Sequence, residues 1–189
     1  MKAAPRPHAT TIIAVKRDGL IAIAGDGQVT VGDVVMKHRA AKVRRIFKDS
    51  IVVGFAGAVA DAFTLFDKLE AQLERHQGNL LRGAIALAKE WRTDKYLRRL
   101  DAMLIAANES QLLLVSGDGE IIEPDDDVVA IGSGGPYAQA AATALVENTT
   151  MSADAVARRS LEIAARLCIY TNDYVTVETI GGVAAGVRA

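Results

Sequence analysis

Short apolar, β-rich runs open the chain, and polar turn residues separate them. TTIIAV (Thr10–Val15) and LIAIA (Leu20–Ala24) flank Lys16-Arg17-Asp18-Gly19, a hairpin turn ending in Asp-Gly. A second turn, Gly25-Asp26-Gly27, leads into Gln28–Val31, and Lys42–Phe47 and Ile51–Phe55 form another strand pair around Lys48-Asp49-Ser50. From Val59 the period becomes helical. Val59, Ala62, Phe63, Phe66, Leu69 and Leu73 share one face until Gly78, a C-terminal stop. Asn79 then caps a second helix, with Leu81, Ala84, Ile85, Ala88 and Trp91 facing inward. Strand patterns return at Ala102–Ala107, Leu112–Ser116, Glu120–Ile122 and Val128–Ile131. A glycine-rich loop, Gly132-Ser133-Gly134-Gly135, places Pro136 at the start of an alanine-rich helix to about Val146. Ser152 reads as the N-cap of a fourth helix, with Met151 and Val156 spaced as a hydrophobic staple. That helix is expected to run to about Tyr170, before a last strand at Tyr174–Ile180.

The order is therefore sheet, two helices, sheet, two helices, strand. Short turns between consecutive strands imply antiparallel sheets, and paired helices imply an α+β fold. The strands are apolar on both faces, as sheets covered on both sides should be. Two sheets packed face to face, with a helix pair outside each, satisfy the pattern. No repeat or internal linker divides the chain. One domain is expected over residues 10–180, with a leader at 1–9 and a loose tail at 181–189.

Composition narrows the class. The chain has 189 residues, half of them hydrophobic, and a formal net charge of −1. That suits one domain with a sizeable core and argues against a dedicated nucleic-acid binder. Cys168 is the only cysteine, so no intrachain disulfide forms, which fits a reducing cytoplasm. The leader MKAAPRPHA lacks an apolar segment and carries Pro5 and Pro7, unlike a secretory signal. No stretch approaches the roughly 20 apolar residues of a membrane span.

Candidate chemistry starts at Thr10. A threonine hydroxyl needs a base, and a threonine at the chain start supplies its own α-amine. That amine titrates near ~7.7–8.0, well placed for neutral pH, but removal of residues 1–9 is required to free it. Asp26 reads either as a turn residue or as the anchor of Lys42. Lys42 sits in a basic run, KHRAAKVRRIFK, that reads equally as a solvated edge, an RNA patch or a source of one cation beside Thr10. Gly54 is either an oxyanion donor or a glycine demanded by a bend. The Gly132–Gly135 loop has neither phosphate-binding motif, and no Gly-Lys pair occurs anywhere, so ATP binding by this chain is not expected. His8, His38, His76 and Cys168 lack zinc spacing, and Cys168 reads as core.

Six ordered blocks carry a resemblance: TTIIAV, AGDGQVT, VMKHRAAKVRR, GFAGAVADAFTLF, AIGSGGPYAQAAATAL and CIYTND. In order and spacing they resemble the HslV (ClpQ) family of bacterial proteasome-like peptidases, from Thr10 to Ile180. The resemblance implies an N-terminal nucleophile hydrolase with a four-layer α-β-β-α sandwich. It also implies a homo-dodecamer of two stacked hexameric rings, to which an HslU-type hexameric ATPase delivers unfolded polypeptides. Carried across, Thr10 is the nucleophile, Asp26 and Lys42 its electrostatic supports, and Gly54 an oxyanion donor, with Ser133 close behind the threonine. A monovalent cation, usually sodium, is implied at the backbone carbonyls of Ala165, Cys168 and Thr171.

Two departures stand out. Many relatives carry a shorter leader, so autocatalytic trimming becomes the expected maturation step. Ala165 occupies a position where glycine is common, which a carbonyl ligand tolerates only if its backbone is helical. Two other readings compete: an inactive ring-scaffold subunit, and an α/β nucleotide-binding module built on the Gly132–Gly135 loop.

Overall fold

The computed structural model describes residues 10–100 and 102–182; the leader and most of the tail lie outside them. Strands β1 (Thr11–Arg17), β2 (Leu20–Gly25), β3 (Val29–Val31), β4 (Val34–Lys37), β5 (Val43–Ile46) and β6 (Ile51–Gly57) come first. Helices α1 (Val59–Arg75) and α2 (Leu80–Thr93) follow, then β7 (Ala102–Ala107), β8 (Leu112–Ser116), β9 (Ile121–Ile122) and β10 (Val128–Gly132). Helices α3 (Gly135–Asn148) and α4 (Ala153–Ala165) precede β11 (Thr176–Gly181).

Strand alternation builds the layers. Ile12 and Ala14 of β1, with Ile21 and Ile23 of β2, face Val52, Ala56 and Ile105 of the second sheet. Ile13, Val15, Ala22 and Ala24 point the other way, onto Val156, Leu161 and Ala164 of α4 and Ala138 and Ala142 of α3. On the far side, Val53, Phe55, Leu104 and Val115 pack against Leu65, Leu69, Leu87 and Trp91 of α1 and α2. One sheet has the order β10-β1-β2-β11 and the other β5-β6-β7-β8-β9, with antiparallel pairing throughout. The α+β four-layer α-β-β-α sandwich is the observed fold. Asp18 and Gly19 make the β1–β2 turn with φ of 52° and 76°, the left-handed pair that a tight hairpin needs.

Several boundaries differ from the sequence reading. Strand β4 pairs with β3 in a small hairpin that the pattern missed, because all of Val34–Lys37 is exposed and no buried face marks it. Helix α4 stops at Ala165 rather than near Tyr170. Beyond it the N–H groups of Leu167 and Cys168 both bond Ala164 O, and Leu167 and Ile169 are exposed, leaving no apolar stripe to extend. On α2 the inward face is Leu80, Ala84, Leu87, Ala88 and Trp91, while Leu81 and Ile85 lie on the exposed side. Asn79 caps that helix through Arg82 N–H at 2.9 Å. Ser152 holds the N-cap position of α4 without a side-chain capping bond.

Candidate active site

The peptide group joining Thr10 to Thr11 is held at both ends. Its carbonyl oxygen accepts from Ser133 N–H at 2.9 Å, and its N–H donates to Asp26 Oδ1 at 2.7 Å. Both contacts come from loops at one end of the β10-β1-β2 edge. Gly132 has φ of 89°, and a Cβ there would collide with Thr10 O, so the loop reaches the threonine only with glycine at this position. Gly134 N–H donates to Thr11 Oγ1 at 3.0 Å, and that hydroxyl also lies 2.7 Å from Thr171 Oγ1. Two N–H groups of the glycine-rich loop are thus committed to the threonine pair, which removes the basis for reading it as a phosphate cradle.

Asp26 is the hub beneath the threonine. Its side chain is fully buried, and Oδ1 accepts from Thr11 N–H and from Lys42 Nζ, each at 2.7 Å. Oδ2 accepts from Gln28 N–H at 2.9 Å and Asn172 N–H at 3.4 Å. A buried carboxylate is tolerated only with donors of this number and charge. Lys42 immediately precedes β5 and turns inward, with 7% of its side chain exposed. Burial pulls its ammonium below the ordinary lysine range, and the charge and hydrogen bond of Asp26 oppose that fall.

The three arginines of the basic run are engaged within the fold. Arg44 lies over the Phe63 and Phe66 rings, Arg45 pairs with Glu178, and Arg39 covers Tyr174. Thr10 and Lys42 open onto an apolar cavity walled by Val29, Phe55, Phe63 and Phe66. A second, more polar cavity on Thr10 includes Ser116, Ser133, Arg98 and Asp118.

Gly54 takes neither of the roles read from sequence. It lies in mid-strand, paired with Val43 and Ile105, and a Cβ there would come within 2.5 Å of Ile12 and 3.1 Å of Ile23. Close approach of the two sheets requires this glycine, and it lines neither cavity at Thr10. Gly57, at the end of the same strand, lines both. Sequence reasoning also missed Thr11, Gln28 and Asn172, and it assigned Thr171 a carbonyl role while its hydroxyl bonds Thr11.

The implied cation positions are partly gathered. Ala165 ends α4 and is helical, which meets the condition set by its replacing glycine. Ala165 and Thr171 border one cleft with Glu162 and Asp173, and Cys168 O accepts Thr171 N–H at 3.1 Å in the intervening turn. Carbonyl oxygens at a helix C-terminus suit a hard cation, whereas the cleft's carboxylates are offset by Arg166 in the lining and by Arg159 paired to Glu162.

A four-layer sandwich presenting a threonine at the head of its first strand, above a buried Lys–Asp pair, defines a hydrolase fold of the N-terminal nucleophile type. A model of the proteasome subunit family matches residues 7–180, and the chain belongs to that family. A relative in Desulfovibrio desulfuricans, described as ATP-dependent protease subunit HslV, is 56% identical over 174 residues, covering 92% of this chain and 98% of the relative. The crystal structure of eukaryotic HslV from Trypanosoma brucei superposes with a TM-score of 0.86 at 42% identity, covering 91% and 99% of the two chains. The fold is also that of Thiobacillus denitrificans BPH in complex with epoxomicin, with a TM-score of 0.74 at 24% identity over 90% and 98% of the chains.

Proposed function

We propose that the chain is the threonine peptidase subunit of a chambered ATP-dependent protease. The observation that carries this is the placement of Thr10, its backbone clamped by Ser133 and Asp26, at the mouth of two cavities and beside the buried Lys42. The 56% identical relative supports the same activity. Once residues 1–9 are removed, the Thr10 α-amine accepts the proton of its own hydroxyl as Oγ attacks a peptide carbonyl. The positive charge of Lys42 lowers the pKa of that amine and favours the alkoxide. Negative charge on the tetrahedral oxygen is met by a backbone N–H at the cavity wall, where Gly57 takes the place expected of Gly54. The amine then returns its proton to the departing chain's nitrogen, leaving an ester on Thr10 that water hydrolyses.

The wider assembly belongs to the same proposal: a homo-dodecamer of two stacked hexameric rings in the cytoplasm, fed with unfolded polypeptide by an HslU-type hexameric ATPase. Sodium, or another monovalent cation, would be held by the carbonyls of Ala165, Cys168 and Thr171, pinning the end of α4 next to the Thr171 hydroxyl. Its contribution there is structural.

Mass spectrometry of the protein caught during turnover of an activated peptide ester tests the reading. An acyl adduct on Thr10, absent in Thr10→Ala, is expected; turnover that survives Thr10→Ala would overturn it.

A further inference from the structure

Thr10 is flanked by two cavities of different character, one mainly apolar and one of mixed polar and apolar lining. On the Lys42 side the walls are Val29, Phe55, Phe63 and Phe66, and the guanidinium of Arg44 lies 4.6 Å from the Phe63 ring centroid. That surface takes an apolar side chain. On the Ser133 side lies a cavity of about 260 Å3 that includes Arg98 and Asp118, both exposed at the protein surface. Arg98 belongs to a short helical turn at Leu97–Arg99, and Asp118 to the Gly117-Asp118-Gly119 turn between β8 and β9. Among the described residues neither charge enters an ion pair.

We propose that Arg98 and Asp118 are specificity-determining residues, and that they select a neutral carboxamide side chain across the scissile bond from the apolar residue. The proposal rests on the peptidase reading above. A glutamate entering this cavity meets Asp118 and a lysine meets Arg98, so each full charge finds a like charge as well as an opposite one. A glutamine or asparagine carries an acceptor for the guanidinium and two donors for the carboxylate, with no charge to be repelled. The Ser116 and Ser133 hydroxyls extend the polar wall. A leucine there can touch Leu100 and Met103 but leaves the guanidinium, the carboxylate and the hydroxyls without partners, which a glutamine does not. The preferred bond thus joins an apolar residue to an amide residue, in whichever order the cleft admits.

The experiment uses the assembled protein after leader removal, with two sets of internally quenched peptides. One set has leucine on the acyl side of the scissile bond and glutamine, glutamate, lysine or leucine on the amine side; the other reverses the order. In one set, glutamine should exceed the other three by about fivefold or more in kcat/KM. Asp118→Asn should then raise glutamate relative to lysine, and Arg98→Gln should do the reverse, the two variants differing about tenfold or more in that ratio. Equal effects of both variants on every peptide, or a wild type indifferent to the varied residue while still acylated at Thr10, would overturn this proposal and leave the peptidase reading standing. Cleavage that does not depend on Thr10 would overturn both.

Discussion

Lys42 Nζ and Asp26 Oδ1 lie 2.7 Å apart in a pair almost wholly closed to water, and the same oxygen holds the amide of Thr11, next to the proposed nucleophile Thr10. Moving the lysine therefore disturbs charge and backbone together. Lys42→Met should lower kcat by on the order of 10²-fold, the scale of losing one preorganised charge. Removing one partner of a buried pair also costs about 3–5 kcal/mol. Here three backbone N–H donors remain on Asp26, so the fold should survive with a lowered Tm. Adding Asp26→Asn should recover part of the Tm and none of the rate. Near-normal turnover by a folded Lys42→Met would return this residue to a structural role.

A pH profile follows from the same pair. Activity should rise as the Thr10 α-amine loses its proton, at or below its ordinary ~7.7–8.0 because Lys42 is positive. Activity should fall again when Lys42 itself deprotonates. Burial lowers that lysine, so the alkaline limb should lie below the ordinary value of 10.5. Lys42→Arg, which stays charged, should remove the alkaline limb even if the rate drops. A limb unchanged in Lys42→Arg would assign it to another group.

The two β-hairpins and paired helices that build the layers were legible because burial on both sheet faces writes itself as continuous apolar runs, IIAV and LIAIA among them. Thr10, Asp26 and Lys42 could be named, yet their convergence could not. It depends on a turn at Gly25-Asp26-Gly27 and a strand entry at Lys42, brought together by long-range packing. Gly54 shows the limit from the other side. A glycine at a strand end and a glycine between two tightly packed sheets look alike in sequence, and only the Ile12 and Ile23 methyls distinguish them. The Thr171 hydroxyl, bonded 160 positions away, left no local signal.

Gly134 is constrained by the same convergence. Its backbone is ordinary, with φ of −91°, but a Cβ would collide with the hydroxyls of Thr11 and Thr171. Gly134→Ala should therefore cost about 1–3 kcal/mol as overpacking does. Because the displaced loop also carries the N–H that holds Thr10 O, peptidase activity should fall with it. A thermal melt and a peptide assay on one preparation check both, and a variant with unchanged Tm would show that the loop gives way freely.

Maturation is the next test. Thr10 can use its amine only after residues 1–9 leave, so intact mass of purified wild type should begin at Thr10. Thr10→Ala should keep MKAAPRPHA, since the same hydroxyl is needed to attack the Ala9 carbonyl. A fully active protein that retains its leader would remove the amine as the base.

The cation prediction turns on where α4 ends. Its terminal carbonyls carry the negative end of the helix dipole, and Ala165 is helical, so its oxygen points along that axis. Glu162 and Asp173 border the same cleft, but Arg166 lines it too and Glu162 pairs with Arg159, so the attraction rests on the helix-end carbonyls. Since the implied ligands are backbone oxygens, Cys168→Ser should leave cation dependence intact. Replacing sodium by a large organic cation should lower peptidase activity without dispersing the proposed ring. The loss should travel through Thr171, whose hydroxyl is 2.7 Å from Thr11 Oγ1, so Thr171→Val should weaken activity in sodium and blunt the response to its removal. Activity that ignores the cation in wild type and in Thr171→Val alike would separate the end of α4 from the active site altogether.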